Sequence, residues 1–129
     1  MGLFDKLFNS SSETIDKKEL HWIPLNSIKQ LDEIRFKSRT KTQLIFKHST
    51  RCGISSMVIK RFEKLFNESM KNTKVYYLDL LNFRDISDEV GNSFQVIHQS
   101  PQLLVIRNES SVLNVSHYDI TTVDIQKYL

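Results

Sequence analysis

The chain has 129 residues, 40% of them hydrophobic and 26% charged, the balance of one globular domain able to bury a core without disulfide staples. Its 18 basic and 15 acidic residues are interspersed and leave a formal charge of +3, so no basic stripe marks a nucleic-acid surface, and no nucleic acid is expected as a partner. A single Cys excludes an internal disulfide and a cysteine-rich zinc site, the four His residues (His21, His48, His98, His117) form no helical metal pair, and no apolar run approaches the ~20 residues of a membrane helix.

Residues 1–19 read as a leader and linker: a short apolar start from Met1 to Phe8, then the polar run Asn9-Ser10-Ser11-Ser12-Glu13-Thr14. The start lacks the apolar core and cleavage site of a signal peptide, and Lys6 occupies the position where a myristoylation signal needs Ser or Thr. With a free thiol, these features predict a protein of the reducing cytoplasm. The domain proper is expected to span residues 20–129. Leu20-His21-Trp22-Ile23-Pro24-Leu25 reads as a short strand, placed at an edge or ending early because Pro24 cannot donate to a ladder. Ser27 and Gln30 form a capping box ahead of an amphipathic helix marked by Ile28, Leu31, Ile34 and Phe36. Residues 43–48 form a buried strand that runs directly into Ser49-Thr50-Arg51-Cys52.

The clearest helix follows, with Ile54, Met57, Val58, Phe62, Leu65, Phe66 and Met70 at three- and four-residue steps. Residues 75–81 are a second buried strand, 84–97 a weaker helix, and 102–107 a strand that pairs through the turn 108–111 with 112–116. A closing helix is expected over 120–128. The predicted order is β-α-β-α-β-α-β-β-α, an α/β fold whose mixed five-stranded sheet carries helices on both faces and an antiparallel hairpin at one edge.

The position of Cys52 is the informative feature. It falls between a buried strand and the first turn of the longest helix, where unpaired N–H groups and the positive end of the helix dipole favour a thiolate over a thiol. Arg51 and His48 add positive potential nearby, Ser49 or Thr50 can cap the helix, and strand C-termini are where sites gather in open α/β sheets. An inert, half-buried thiol is the competing reading for any lone Cys. His48 as a plain strand-end residue and Arg51 as a solvated charge likewise stay open. Trp22, Tyr76 and Tyr77 read as packing residues rather than a stacking platform, and Asp79 as an acid at a strand end near the site.

The phrase Phe46-Lys47-His48-Ser49-Thr50-Arg51-Cys52-Gly53-Ile54-Ser55, followed about fifty residues later by Ser100-Pro101 before a strand, resembles the thioredoxin superfamily. Its closest likeness is to the monothiol bacilliredoxins, also called bacillithiol-system redox-active or YtxJ-like proteins. The resemblance implies a thioredoxin-like fold over Leu20 to Leu129, Cys52 as nucleophile, and Pro101 as a cis-proline facing it. It implies exchange with mixed disulfides between bacillithiol and protein thiols, with bacillithiol as co-substrate and no permanently bound cofactor. On this reading Gly53 and Ile54 N–H groups stabilise the thiolate, Ser55 donates a hydrogen bond to it, and the Ser100 backbone pairs with an extended substrate. The partners are bacillithiolated clients and a low-molecular-weight thiol, and the protein is expected to be a monomer.

Two departures from the dithiol thioredoxins narrow the chemistry. Ser55 stands where their second Cys would be, and Phe46 stands where they carry a buried acid, six residues before the nucleophile. Both favour a monothiol route. The alternatives are a monothiol glutaredoxin-like protein using another small thiol, a redox-inert thioredoxin-fold adaptor, and an iron–sulfur carrier that bridges a cluster between two chains.

Overall fold

The computed structural model describes residues 20–65 and 73–129, so the leader and the end of the longest expected helix, including Phe66 and Met70, lie outside the described residues. Five strands form one sheet: β1 (His21–Pro24), β2 (Gln43–His48), β3 (Lys74–Asp79), β4 (Gln102–Arg107) and β5 (Ser110–Ser116). Their order across the sheet is β1-β3-β2-β4-β5, with β1, β3 and β2 parallel and β4 antiparallel to both of its neighbours. Helices α1 (Ile28–Lys37), α2 (Gly53–Leu65) and α3 (Arg84–Phe94) connect the first four strands.

Alternation along the strands divides the core into two layers. Leu44 and Phe46 of β2 face α2, where Val58 and Phe62 meet Val75, Leu103 and Val105. Ile45 faces the other way, toward Leu31 and Ile34 of α1 and Ile86, Val90 and Phe94 of α3. β2 is the middle strand and is buried over its whole length. Pro24 ends β1, which is an edge strand as its missing N–H requires. Trp22 packs from this edge onto Phe46, Phe62 and Tyr77, and its indole N–H donates to Glu63 Oε2 of α2 at 2.7 Å.

The capping box forms as expected: Gln30 N–H donates to Ser27 Oγ at 3.4 Å, and Ser27 N–H donates to Gln30 Oε1 at 3.0 Å. Other boundaries differ from expectation. Only Leu31 and Ile34 of α1 are buried, whereas Phe36 is 67% exposed and its ring lies beneath the Arg39 guanidinium. In α2, Ile54, Met57 and Leu65 are also substantially exposed, so its buried stripe is narrower than the apolar pattern.

α3 stops at Phe94 rather than 97, because Gln95 turns left-handed (φ 54°) and brings Val96 back into the core. β5 begins at Ser110, leaving a two-residue loop, Asn108-Glu109, with both φ positive as a tight hairpin demands. The expected closing α-helix is instead two 3₁₀ turns, His117–Thr121 and Ile125–Tyr128. Its apolar residues at 120, 123, 125 and 128 step by three, two and three, which fits three-residue turns with a break at Asp124 and not a continuous α-helix. No helix among the described residues is long and apolar enough to cross a membrane.

Candidate functional site

Three loops meet at one end of the sheet. Parallel pairing sets His48, the last residue of β2, beside Asp79, the last of β3, and antiparallel pairing sets Lys47 beside Gln102, the first residue of β4. The loop Ser49–Cys52, the loop 80–83 and the segment His98–Pro101 therefore emerge together. The Ser100–Pro101 peptide is cis.

Cys52 is the N-cap of α2: its carbonyl accepts the first intrahelical bond, from Ser56 N–H at 3.0 Å. Its own N–H closes a turn onto the Ser49 carbonyl at 3.2 Å. The amides of Gly53, Ile54 and Ser55 precede the first intrahelical bond and have no acceptor among the described residues. The thiol is partly exposed, Thr50 and Arg51 are exposed, and Gly53 has nothing within 4 Å of the position a Cβ would take. The sulfur thus sits on an open helix start rather than in the core.

Ser55 has a different role from the expected one. Its side chain is fully buried; Ser49 N–H donates to Oγ at 3.1 Å, and Oγ lies 2.7 Å from His48 Nδ1. The hydroxyl donates to Nδ1 when the neutral ring carries its proton on Nε2, and accepts from Nδ1 in the other tautomer. Burial holds His48 below its ordinary pKa, against the opposing pull of the Asp79 and Glu63 carboxylates, and so favours the neutral ring. Ser55 and His48 together pin the loop that carries Cys52, and the Ser55 hydroxyl is committed to His48 instead of the thiol.

Asp79 lies at the site, as its strand-end position suggested. Its Oδ2 accepts from Asn82 Nδ2 at 2.8 Å, while Oδ1 is buried without a partner among the described residues. Burial and this carboxylate both raise the Tyr77 pKa, and the Tyr77 ring packs against His48.

Lys47 received no role from the sequence beyond its place in the motif, yet it is fully buried in the central strand. It faces the α1/α3 layer, and its Nζ lies 3.1 Å from Nδ1 of His98, in the segment leading to Pro101. Burial lowers its pKa to about 8, with partial compensation from Asp88 of α3. His98 is held below its ordinary value by burial and by the Lys47 charge, so its neutral ring accepts from the ammonium. Gln102 ties the same segment from below: its Nε2 donates to the Ile97 carbonyl at 3.0 Å, and its Oε1 accepts from Gln99 N–H at 3.3 Å. A lysine directly after the apolar run Leu44-Ile45-Phe46 of a buried strand was the available signal for this network.

A five-stranded sheet of this topology, with one Cys capping the helix after its central strand and a cis-proline at the start of the neighbouring strand, defines a thioredoxin-fold protein of the single-thiol type. Solved structures share this fold. A candidate oxidoreductase with a thioredoxin fold matches with a TM-score of 0.71 and 30% identity over 83% of this chain and 92% of its own. Thioredoxin from Malassezia sympodialis matches at 0.68 and 20% identity over 85% and 91%, and the reduced thioredoxin pre-protein of Schistosoma mansoni at 0.64 and 20% over 84% and 99%. Residues 23–125 match the family model of the monothiol bacilliredoxin BrxC. The chain belongs to the monothiol bacilliredoxin family, and this membership implies thiol–disulfide oxidoreductase chemistry of the bacilliredoxin type with bacillithiol as co-substrate.

Proposed function

We propose that the protein removes bacillithiol from mixed disulfides with protein thiols, using Cys52 as the nucleophile. The observation that carries this reading is the single, partly exposed thiol at the N-cap of α2 in a chain of this family. The Cys52 thiolate attacks the bacillithiol sulfur of the client. The client sulfur leaves as a thiolate and takes up a proton, and Cys52 carries the bacillithiol as a new disulfide. One S–S bond breaks and one forms, so no net oxidation occurs. A second thiol then attacks the adduct and restores Cys52. Ser55 supplies no resolving sulfur, which makes that external thiol obligatory.

The free amides of Gly53 and Ile54 and the dipole of α2 stabilise the attacking thiolate and the Cys52 sulfur when it leaves. Arg51 adds positive potential, and the Ser100 backbone offers an extended client its hydrogen bonds. Exposed Ile54 and Met57 on α2 and Ile97, which is 83% exposed beside the Pro101 segment, give the client an apolar rim around the sulfur. The client and the small thiol are the partners, and the reducing cytoplasm is the setting.

The test is to incubate the protein with oxidised bacillithiol and, separately, with oxidised glutathione, and to measure its mass. A bacillithiol adduct that is absent in Cys52→Ala is expected, together with release of bacillithiol from a modified client by the wild type alone. An adduct with glutathione only would replace this reading by a glutaredoxin-like one. Failure of Cys52 to react with either disulfide would overturn it in favour of an adaptor.

A further inference from the structure

Beside the Cys52 loop lies an open concavity of about 300 Å³, lined by Thr50, Arg51, Leu81, Asn82 and Arg84. Two of its walls are the start of α2 and the start of α3, so residues adjoining both the reacting sulfur and a second helix N-terminus face one space. Its chemistry is one-sided. Arg51 and Arg84 are two of its five lining residues, and among the described residues neither is ion-paired, the only bridges being those of Arg35 and Arg39 to Glu109. The Asn82 amide nitrogen gives one hydrogen to Asp79 and keeps another, and the Thr50 hydroxyl has no intramolecular partner among the described residues. No acidic residue is among those that line the space, although Asp79 and Asp85 flank the same connection in sequence and Asp79 accepts from Asn82 Nδ2.

We propose that this concavity binds the carboxylate-bearing part of the small-molecule thiol that Cys52 exchanges, with Arg51 and Arg84 as the anchoring groups. The proposal rests on the reading of Cys52 as the exchanging thiol and adds what selects its small partner. Planar guanidinium forks match carboxylates in two-point hydrogen bonds, and two unpaired cations in one cleft attract an anion before contact. Arg51 is the residue next to Cys52, so an anion held there keeps the attached disulfide within reach of the sulfur. A volume of about 300 Å³ suits a small polar fragment and is at the lower end of ligand sites.

The experiment compares two disulfides on the full chain: oxidised glutathione, which carries carboxylates, and 2-hydroxyethyl disulfide, which carries no charge. The quantity read is the ratio of their rates of adduct formation at Cys52, each event releasing one thiolate. Wild type is expected to favour the carboxylate-bearing disulfide, and Arg84→Gln and Arg51→Gln each to lower the ratio about tenfold, with Arg84→Lys retaining most of it. Added salt should lower the ratio in wild type more than in Arg84→Gln. A wild-type ratio without preference, or one that Arg84→Gln leaves unchanged, overturns the site while the exchanging role of Cys52 stands. Absence of reaction with both disulfides overturns the site, and the exchanging role of Cys52 falls with it if oxidised bacillithiol also leaves the thiol unmodified.

Discussion

Ser55 shows how one side chain can hold the reactive loop without touching its reaction. Its hydroxyl satisfies the part-buried Ser49 N–H and the Nδ1 of His48 at once. Ser55→Ala leaves both without partners inside the fold, which costs about 1–3 kcal/mol. Urea denaturation is expected to show that loss in its midpoint. Alkylation of Cys52 by iodoacetamide in the folded state should change little by comparison, because no hydrogen bond to the sulfur is removed. A large fall in alkylation with unchanged stability would instead give Ser55 the thiolate contact expected from the sequence. The sequence made the position of Ser55 legible, three residues after Cys52, but not its partner. A helix start alone does not reveal which neighbour claims a hydroxyl, since that depends on where the preceding strand leaves His48.

Elements were read best where one face or one cap decides them. The capping box at Ser27 and Gln30, the buried run of β2 and the hairpin of β4 and β5 each carry a local signal that the fold obeys. The end of α3 carried none: Val96 is apolar and continues the helical pattern, but the chain reverses through left-handed Gln95 to deliver it. That reversal depends on Gly91, where an added Cβ would lie 3.0 Å from the Val96 carbonyl oxygen. Gly53 is the contrasting case, open and without a positive φ. The same substitution should therefore have opposite signs at the two sites. Gly91→Ala is expected to lose about 1–2 kcal/mol from displacement of the backbone, beyond its gain in helix propensity. Gly53→Ala is expected to be neutral or to gain up to about 1 kcal/mol. Paired thermal melts check both. Equal effects would mean that Gly91 is not held by the turn that follows it.

On the scale of the whole molecule, Lys47 sets a charge in the middle of the sheet at a cost the fold must bear. An ammonium with no exposed surface and a neutral imidazole as its hydrogen-bond partner is poorly compensated, which is why its pKa falls from 10.5 to about 8. Near pH 10 the folded protein has largely lost this proton while the unfolded chain still holds much of it. Wild-type stability from this group therefore rises with pH between about 8 and 10.5, and falls again as pH drops toward 8. Below that window the full penalty applies. Lys47→Met, which keeps the volume and removes the charge, is expected to be more stable than wild type at pH 7 by about 1–3 kcal/mol. That advantage should shrink across the window, since the variant lacks the wild-type gain while every other titrating group is shared. The variant should also exchange more slowly with a bacillithiolated client, because His98 loses the donor that steadies the segment leading to Ser100 and Pro101. Denaturant midpoints at pH 7, 8, 9 and 10, set beside exchange rates at pH 7, separate the two effects. A variant less stable at every pH would mean that the Lys47–His98 contact outweighs the burial of the charge. One more stable and equally fast would mean that the lysine contributes nothing to the loop it touches.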